Sequence, residues 1–168
     1  MILLDILMDG AFAAVAGVGF GIISDPPVRA FKHIAILAAL GHALRFSLMH
    51  YAGVDIATGS FAASLLIGLV SLPLGKHSYC PMTVLYIPAL LPMIPGMFAY
   101  KMVFSLIMFF HSMGDPLEQQ QYIQTLLTNG VITFTVIFNL AVGATLPVFS
   151  FSKKAYSLTR RSNQTISK

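Results

Sequence analysis

Four long stretches of the chain contain no Asp, Glu, Lys or Arg: residues 10–24, 56–75, 78–100 and 119–152. A helix needs about 20 mainly apolar residues to cross the hydrocarbon core of a bilayer, and each stretch supplies most or all of them. Only 10% of the residues are charged, whereas an ordinary soluble domain has about 25%. We therefore predict an all-α integral membrane protein.

Five membrane-spanning helices fit this pattern, at about residues 3–24, 31–52, 56–75, 82–110 and 123–151. Together they predict a transmembrane domain over residues 1–152, followed by a basic cytoplasmic tail over residues 153–168. The basic residues lie in short loops and in this tail rather than on a soluble face with interleaved aromatics, so the net charge of +4 does not indicate a nucleic-acid partner.

The distribution of charge predicts the orientation of the chain. If the tail is cytoplasmic, the same side holds Arg29, Lys32, Lys76, Lys153, Lys154, Arg160, Arg161 and Lys168. The opposite loops then carry Asp55, Asp115 and Glu118 without any Lys or Arg. The positive-inside rule therefore predicts an outer N-terminus and a cytoplasmic C-terminus. A re-entrant hairpin in the fourth segment would place the basic tail outside, so a single crossing by a broken helix is preferred.

The fourth span contains Pro88, Pro92, Pro95 and Gly96. Each proline removes a helical hydrogen bond, and an unpaired backbone group in lipid costs several kcal/mol. One interpretation is a packed proline kink; the other is a discontinuous helix of the transporter type, whose broken backbone lines a polar cavity. Three closely spaced prolines favour the second. The second half-helix should begin near Met97, with free N–H groups that attract a carboxylate.

Several residues are candidate substrate ligands around this break. Tyr100 and Lys101 follow Pro95 and Gly96 within the first turns of the second half-helix. Tyr100 can donate its hydroxyl, and Lys101 either pairs with a carboxylate or extends to the membrane surface. On the second span, Arg45 can hold a carboxylate by two parallel hydrogen bonds.

His42 lies three residues before Arg45, on the same helix face and near the middle of the membrane. Histidine can carry a proton near neutral pH, and Asp9 is the carboxylate that should intrude furthest into a span. We therefore predict proton coupling through His42 and Asp9. The alternatives are a neutral His42 bonded to a carbonyl, an ion pair of Arg45 with Asp9 or Asp55, and an interfacial Asp9.

Small residues recur every four positions in three spans: Ala13, Gly17 and Gly21; Ala35, Ala39 and Ala43; Ser60, Ser64 and Gly68. Such ladders let helices approach closely. Ser64 faces either a partner helix or a substrate cavity, and we include it among the candidate substrate ligands. The remaining histidines are scattered at span ends, so neither a metal site nor another cofactor is predicted.

Five segments carry a resemblance to a known family: "GFGIISDPPVRA", "ALGHALRFSLM", "SFAASLLIG", "LLPMIPGMFAY" and "LLTNGVITF". The chain resembles the C-terminal membrane module of the threonine/serine exporter (ThrE) family, and more closely the small YjjB-type subunit of its split, two-subunit members. The matching positions include His42, Arg45, Pro92, Pro95, Gly96 and Tyr100. Lys101 departs from the family pattern.

The resemblance implies a bacterial inner-membrane exporter of small carboxylates, either serine- and threonine-type amino acids or dicarboxylates such as succinate. It also implies a larger partner subunit, with membrane lipid around the assembly and possible homo-oligomerisation of the heteromer. An enzyme is not expected. The alternative is a membrane assembly subunit that transports nothing, in which the prolines and small residues serve only helix packing.

Overall fold

The computed structural model describes residues 2–151, which form helices joined by short turns, without a strand in this range. The helices are α1 (Ile2–Ile23), α2 (Val28–Tyr51), α3 (Ile56–Ser78), α4 (Met82–Leu90), a 3₁₀ turn (Leu91–Met93), α5 (Gly96–His111) and α6 (Pro116–Ser150). Within these residues, α1, α2, α3 and α6 are each long and apolar enough to cross a membrane. Helices α4 and α5 form a bent pair that makes a fifth crossing when counted as one span. The all-α membrane fold is confirmed, while the tail at 153–168 lies outside the described residues.

Aspartates begin two of the long helices. Asp55 accepts hydrogen bonds from the backbone N–H of Thr58 (2.9 Å) and from its hydroxyl (2.7 Å). Asp115 accepts from the N–H groups of Leu117 and Glu118, and Pro116 occupies the first position of α6. Because Asp-Pro is a strong helix start, α6 begins at Pro116 rather than near residue 123, where the span was predicted to begin.

Glycines bring α1 and α2 into close contact. A methyl group on Gly10 would lie 3.3 Å from the carbonyl oxygen of Ala39, and one on Gly17 would lie 2.8 Å from the β-carbon of Ala38. Ala13 is also buried, at 3% exposure. The predicted small-residue ladder of the first span is therefore a helix-packing surface, as expected for close helix approach in membranes.

The contact between α3 and α6 has the same character. Gly143 on α6 leaves room for the Ser64 hydroxyl, because a methyl group there would meet that hydroxyl and lie 2.9 Å from the carbonyl oxygen of Phe61. Asn139 donates from Nδ2 to the carbonyl oxygen of Ala57 across the interface, at 3.0 Å. This bond joins α6 to α3.

The break divides the fourth span into two differently packed parts. The axis bends by 57° between Met82–Met93 and Gly96–His111. Before the bend, Leu85 and Met93 are fully buried in the bundle. After it, α5 packs along the first half of α6, where Gly130 lies against Met102. The bend thus separates a buried segment from a helical hairpin formed by α5 and α6.

Candidate functional site

The break lies at Leu91–Pro95, one turn after Pro88. Pro88 is inside α4, buried and helical, so its assignment to the break was wrong. Pro92 is inside the 3₁₀ turn, and Ile94 is extended at φ −60° and ψ 131°. Pro95 has φ −79° and ψ 65°, which are the angles of an inverse γ-turn. Helix α5 then begins at Gly96.

Pro92 and Pro95 remove the helical hydrogen-bond donors of two carbonyls, those of Pro88 and Leu91. Both carbonyls face protein groups. The oxygen of Leu91 accepts from the N–H of Ile94 at 3.1 Å, so it has a donor although Pro95 removes the helical one. The oxygen of Pro88 lies against α1, at 3.7 Å from the position that a β-carbon on Gly17 would occupy. The 3₁₀ turn and the glycine contact therefore accommodate part of the broken backbone, beside an apolar cavity of about 290 Å³ whose lining includes Leu91 and Ile94.

The start of α5 is less open to an anion than the sequence indicated. The N–H of Gly96 donates to the carbonyl oxygen of Ile94 at 2.8 Å, and the N–H of Phe98 donates to that of Pro95 at 3.1 Å. Gly96 is exposed, and a methyl group there would touch nothing within 4 Å. The γ-turn and the first helical turn thus use N–H groups that were expected to be free.

The clearest polar contact at the break comes from α2. Arg45 donates from Nη1 to the carbonyl oxygen of Met93 at 2.9 Å. In an uninterrupted helix that oxygen would accept from the N–H of Met97. Gly59 of α3 lies beside this side chain, where a methyl group would be in ordinary contact with Cγ of Arg45 at 3.6 Å. Arg45 therefore supplies a charged donor to the broken backbone.

A carboxylate and an imidazole lie on the same side of this contact. Nδ1 of His42 is 3.1 Å from Oδ2 of Asp9, with the side chains 12% and 32% exposed, respectively. Nε2 of His42 is buried and has no hydrogen-bond partner among residues 2–151. Arg45 follows His42 by three residues on α2, one turn along the same helix face. The structure thus brings together Asp9, His42 and Arg45, three ionisable residues predicted for the site.

The other predicted ligands lie elsewhere. Ser64 is fully buried between α3 and α6 and donates to the carbonyl oxygens of Phe61 (2.9 Å) and Asn139 (3.2 Å). Tyr100 is 63% exposed and stacks with Phe104, with ring centroids 6.0 Å apart. Lys101 is exposed and lines a separate groove between α5 and α6. None of these three contributes a hydrogen bond to the cluster at Arg45 within the described residues.

Two parts of the polar arrangement were missed from the sequence. The acceptor at Met93 is a backbone carbonyl, which no side-chain pattern indicates. The groove beside Lys101 includes Gln121, Thr125 and Asn129, whose regular spacing of four along α6 could have identified a polar stripe. Asn129 donates within its own helix, to the carbonyl oxygen of Thr125 at 2.7 Å.

The cluster combines two chemical capacities. The Asp9–His42 pair can hold and release a proton, because both side chains have protonated and deprotonated forms. Arg45 has a planar guanidinium with five donors, of which the Met93 carbonyl occupies one. A bound carboxylate would satisfy further donors and would compensate the charge of Arg45. The arrangement is therefore suited to a proton and a small anion at one place.

Comparisons with known proteins agree with these features. The sequence model of the family described as "Threonine/Serine exporter, ThrE" matches residues 9–150. An uncharacterized protein of Haemophilus influenzae (strain ATCC 51907 / DSM 11121 / KW20 / Rd) is 33% identical over 140 residues, which cover 83% of this chain and 47% of that protein. The chain thus spans about half the length of this curated relative. No solved structure matches it. The family match over most of its length establishes that the chain belongs to the threonine/serine exporter (ThrE) family.

Proposed function

We propose that this chain is a membrane subunit of a proton-coupled exporter of small carboxylates, with serine and threonine as the first candidates and succinate as a dicarboxylate alternative. One observation carries the proposal: Asp9, His42 and Arg45 converge beside a helix break within an apolar helical bundle. Ionisable residues at membrane depth commonly mark proton relays and ion pathways. Membership of an exporter family supports the same conclusion and makes an enzyme a poorer explanation.

The bond of Arg45 to Met93 suggests how a carboxylate is recognised. Arg45 now donates to the neutral oxygen of Met93. A carboxylate is a stronger acceptor than a carbonyl and can take two guanidinium hydrogen bonds at once. The substrate therefore competes with Met93 for Arg45, and its arrival releases the 3₁₀ turn from α2. Binding and a change at the break are coupled through this one side chain.

The Asp9–His42 pair supplies the proton step. Nδ1 of His42 lies 3.1 Å from Oδ2 of Asp9, so the two side chains can share a proton. Proton entry through this pair would accompany carboxylate exit, as an exporter driven by an inward proton gradient requires.

The remaining parts of the proposal concern the assembly. The chain corresponds to about half the length of its Haemophilus relative, so a partner subunit would supply at least the other half. In the proposed orientation, the loops at Asp55 and Asp115 lie on the outer side of a bacterial inner membrane. The basic loop beside Lys76 lies on its cytoplasmic side. A homo-oligomer of the two-subunit unit is compatible with the apolar outer faces of the helices.

Efflux of labelled threonine, serine, alanine and succinate tests the proposal in cells that express the chain with its neighbouring larger subunit. Arg45→Gln should reduce efflux of the cargo at least tenfold while membrane assembly is retained. Arg29→Gln is the matched control, because Arg29 is an exposed arginine of the same helix.

The alternative is that Arg45 serves only to hold the break, in an assembly subunit that transports nothing. Its bond to Met93 is the observation in favour of that role. Normal efflux in an assembled Arg45→Gln complex would support it and reject the proposed substrate site. Absence of efflux for all four compounds in the wild type would reject the proposed cargo.

A further inference from the structure

A groove of about 350 Å³, lined by several polar side chains and by Phe104, lies between α5 and the first half of α6, apart from the cluster at Arg45. Its polar lining consists of Lys101, Ser105, Gln121, Tyr122, Thr125 and Asn129. Ser105 and Asn129 are buried, at 2% and 8% exposure, so the groove has a polar floor as well as a charged rim. Pockets that bind small molecules usually enclose about 300–1,000 Å³, and this groove is of that size.

Lys101 gives the groove a positive charge that no neighbouring side chain compensates. It is the one formally charged residue of the lining. Within residues 2–151, the pair formed by Asp9 and His42 is the sole side-chain ion pair within 4.0 Å, so the ammonium group of Lys101 has no carboxylate partner there. A cation on an apolar helical hairpin is costly unless it reaches water or an anion. An anionic ligand group would reduce that cost.

The neutral side chains of the groove complement the other end of an amino acid. Thr125 donates its hydroxyl hydrogen to the carbonyl oxygen of Gln121 at 2.9 Å. Asn129 donates an amide hydrogen to the carbonyl oxygen of Thr125 at 2.7 Å. These bonds leave the Thr125 hydroxyl oxygen and the Asn129 amide oxygen as acceptors. The groove thus combines one cation with acceptor oxygens, which is the complement of a zwitterion.

We propose that this groove binds a small zwitterionic amino acid, with its carboxylate on Lys101 and its ammonium group on the oxygens of α6. The inference rests on the proposed export function and adds a second substrate station to it. Lys101 is five residues beyond Gly96, which is about 8 Å along α5 from the break. In the proposed orientation, this station lies on the outer side of Arg45, where an exported molecule would pass later.

The test uses the full chain in lipid nanodiscs, with L-threonine as the probe and threoninol, which lacks the carboxylate, as the chemical control. Lys101→Met should weaken threonine binding by at least about tenfold, the size expected for a hydrogen bond to a charged group. Lys101→Arg should retain binding within about threefold, since it keeps the charge. Lys76→Met is the matched control, because Lys76 is an exposed lysine in the last turn of α3.

A footprint locates the bound ligand independently of folding. Threonine should slow acetylation of Lys101 by a lysine-reactive ester in the wild type, as read by mass spectrometry, and should leave acetylation of Lys76 unchanged. Equal binding of threoninol, unchanged affinity in Lys101→Met, or no measurable threonine binding by the wild type would each overturn the inference.

Parallel efflux measurements separate this inference from the proposed function. Threonine efflux by the wild-type complex together with unaltered threonine binding in Lys101→Met would reject the groove and leave the export function standing. Protection of Lys101 by threonine without efflux of any tested compound would reject export and leave the binding groove standing.

Discussion

The guanidinium of Arg45 donates a 2.9 Å hydrogen bond to the carbonyl oxygen of Met93, 48 residues further along the chain. The bond joins the second helix to the broken backbone of the fourth span. It gives Arg45 a structural role at the helix break.

Replacing Arg45 by Met should destabilise the protein even without substrate. The substitution leaves the Met93 carbonyl without its donor, and loss of a hydrogen bond made by a charged group costs roughly 1–3 kcal/mol. Thermal unfolding in a mild detergent should therefore begin at a lower temperature than for the wild type. Arg29→Met provides the reference, and equal melting temperatures for the two variants would contradict the structural role of Arg45.

Gly143→Ala should disrupt the contact between α3 and α6. The added methyl group would meet the Ser64 hydroxyl and lie 3.1 Å from the backbone nitrogen of Leu65. Forcing a methyl group into a packed interface typically costs about 1–3 kcal/mol. Gly96→Ala is the control, since a methyl group at that position has no neighbour within 4 Å. Thermal unfolding of the two variants should differ clearly, and equal stability would show that the interface can relax.

His42→Gln should uncouple protons from export if the Asp9–His42 pair carries them. Glutamine can still hydrogen-bond to Asp9 but cannot take up a proton near neutral pH. A pH-sensitive dye in the lumen of proteoliposomes containing the complete complex should report proton movement on addition of threonine to the wild type and none in the variant. His50→Gln is the control, because His50 is exposed at the end of the same helix. Proton movement that persists in His42→Gln would assign coupling to another group.

Thr58→Val should raise the pKa of Asp55. Hydrogen bonds from the Thr58 hydroxyl, and then from its N–H, hold the pKa of the Asp55 carboxyl below its ordinary value. Valine removes the first of these donors, so the pKa should move back towards the ordinary carboxylate range. The carboxyl carbon resonance of Asp55, followed by NMR against pH, measures the change; an unaltered titration midpoint would exclude the hydroxyl as the main cause.

The same shift predicts how Asp55 affects stability. A lowered pKa in the folded state means that the contribution is complete above the ordinary pKa and is lost as the pH falls through the lowered value. The wild type should therefore be more stable than Asp55→Asn at neutral pH, and the two should converge in acid. A constant difference across this range would contradict an effect of the charge.

The sequence predicted the location of the break because the cause is local. Pro95 lacks an N–H and has a fixed φ angle, whatever packs around it. The long uncharged stretches similarly predicted the spans, because the thickness of the bilayer sets the length of the helices that cross it. The start of α6 was harder to predict, because the polar residues before Ile123 are good helix formers and follow an Asp-Pro helix start.

The partners of the polar side chains could not be predicted equally well. Ser64 was grouped with substrate ligands because a serine on a small-residue ladder has the same pattern whether it faces a cavity or a helix. Its actual partner across the interface, the carbonyl of Asn139, depends on tertiary packing. Lys101 was placed near Arg45 from its distance along the chain, but α5 turns this residue towards α6. Asp9, His42 and Arg45 were predicted together because an ionisable group within an apolar bundle needs a charged or hydrogen-bonding partner.

The γ-turn at Pro95 also determines where the backbone can move at low cost. Between the two helical segments, the hydrogen bonds from Ile94 to Leu91 and from Gly96 to Ile94 are local to the break. A rotation of α5 about Ile94–Gly96 can therefore proceed without opening the hydrogen-bond ladder of α4 or most of that of α5. The break therefore separates two helical segments whose hydrogen-bond ladders do not depend on each other.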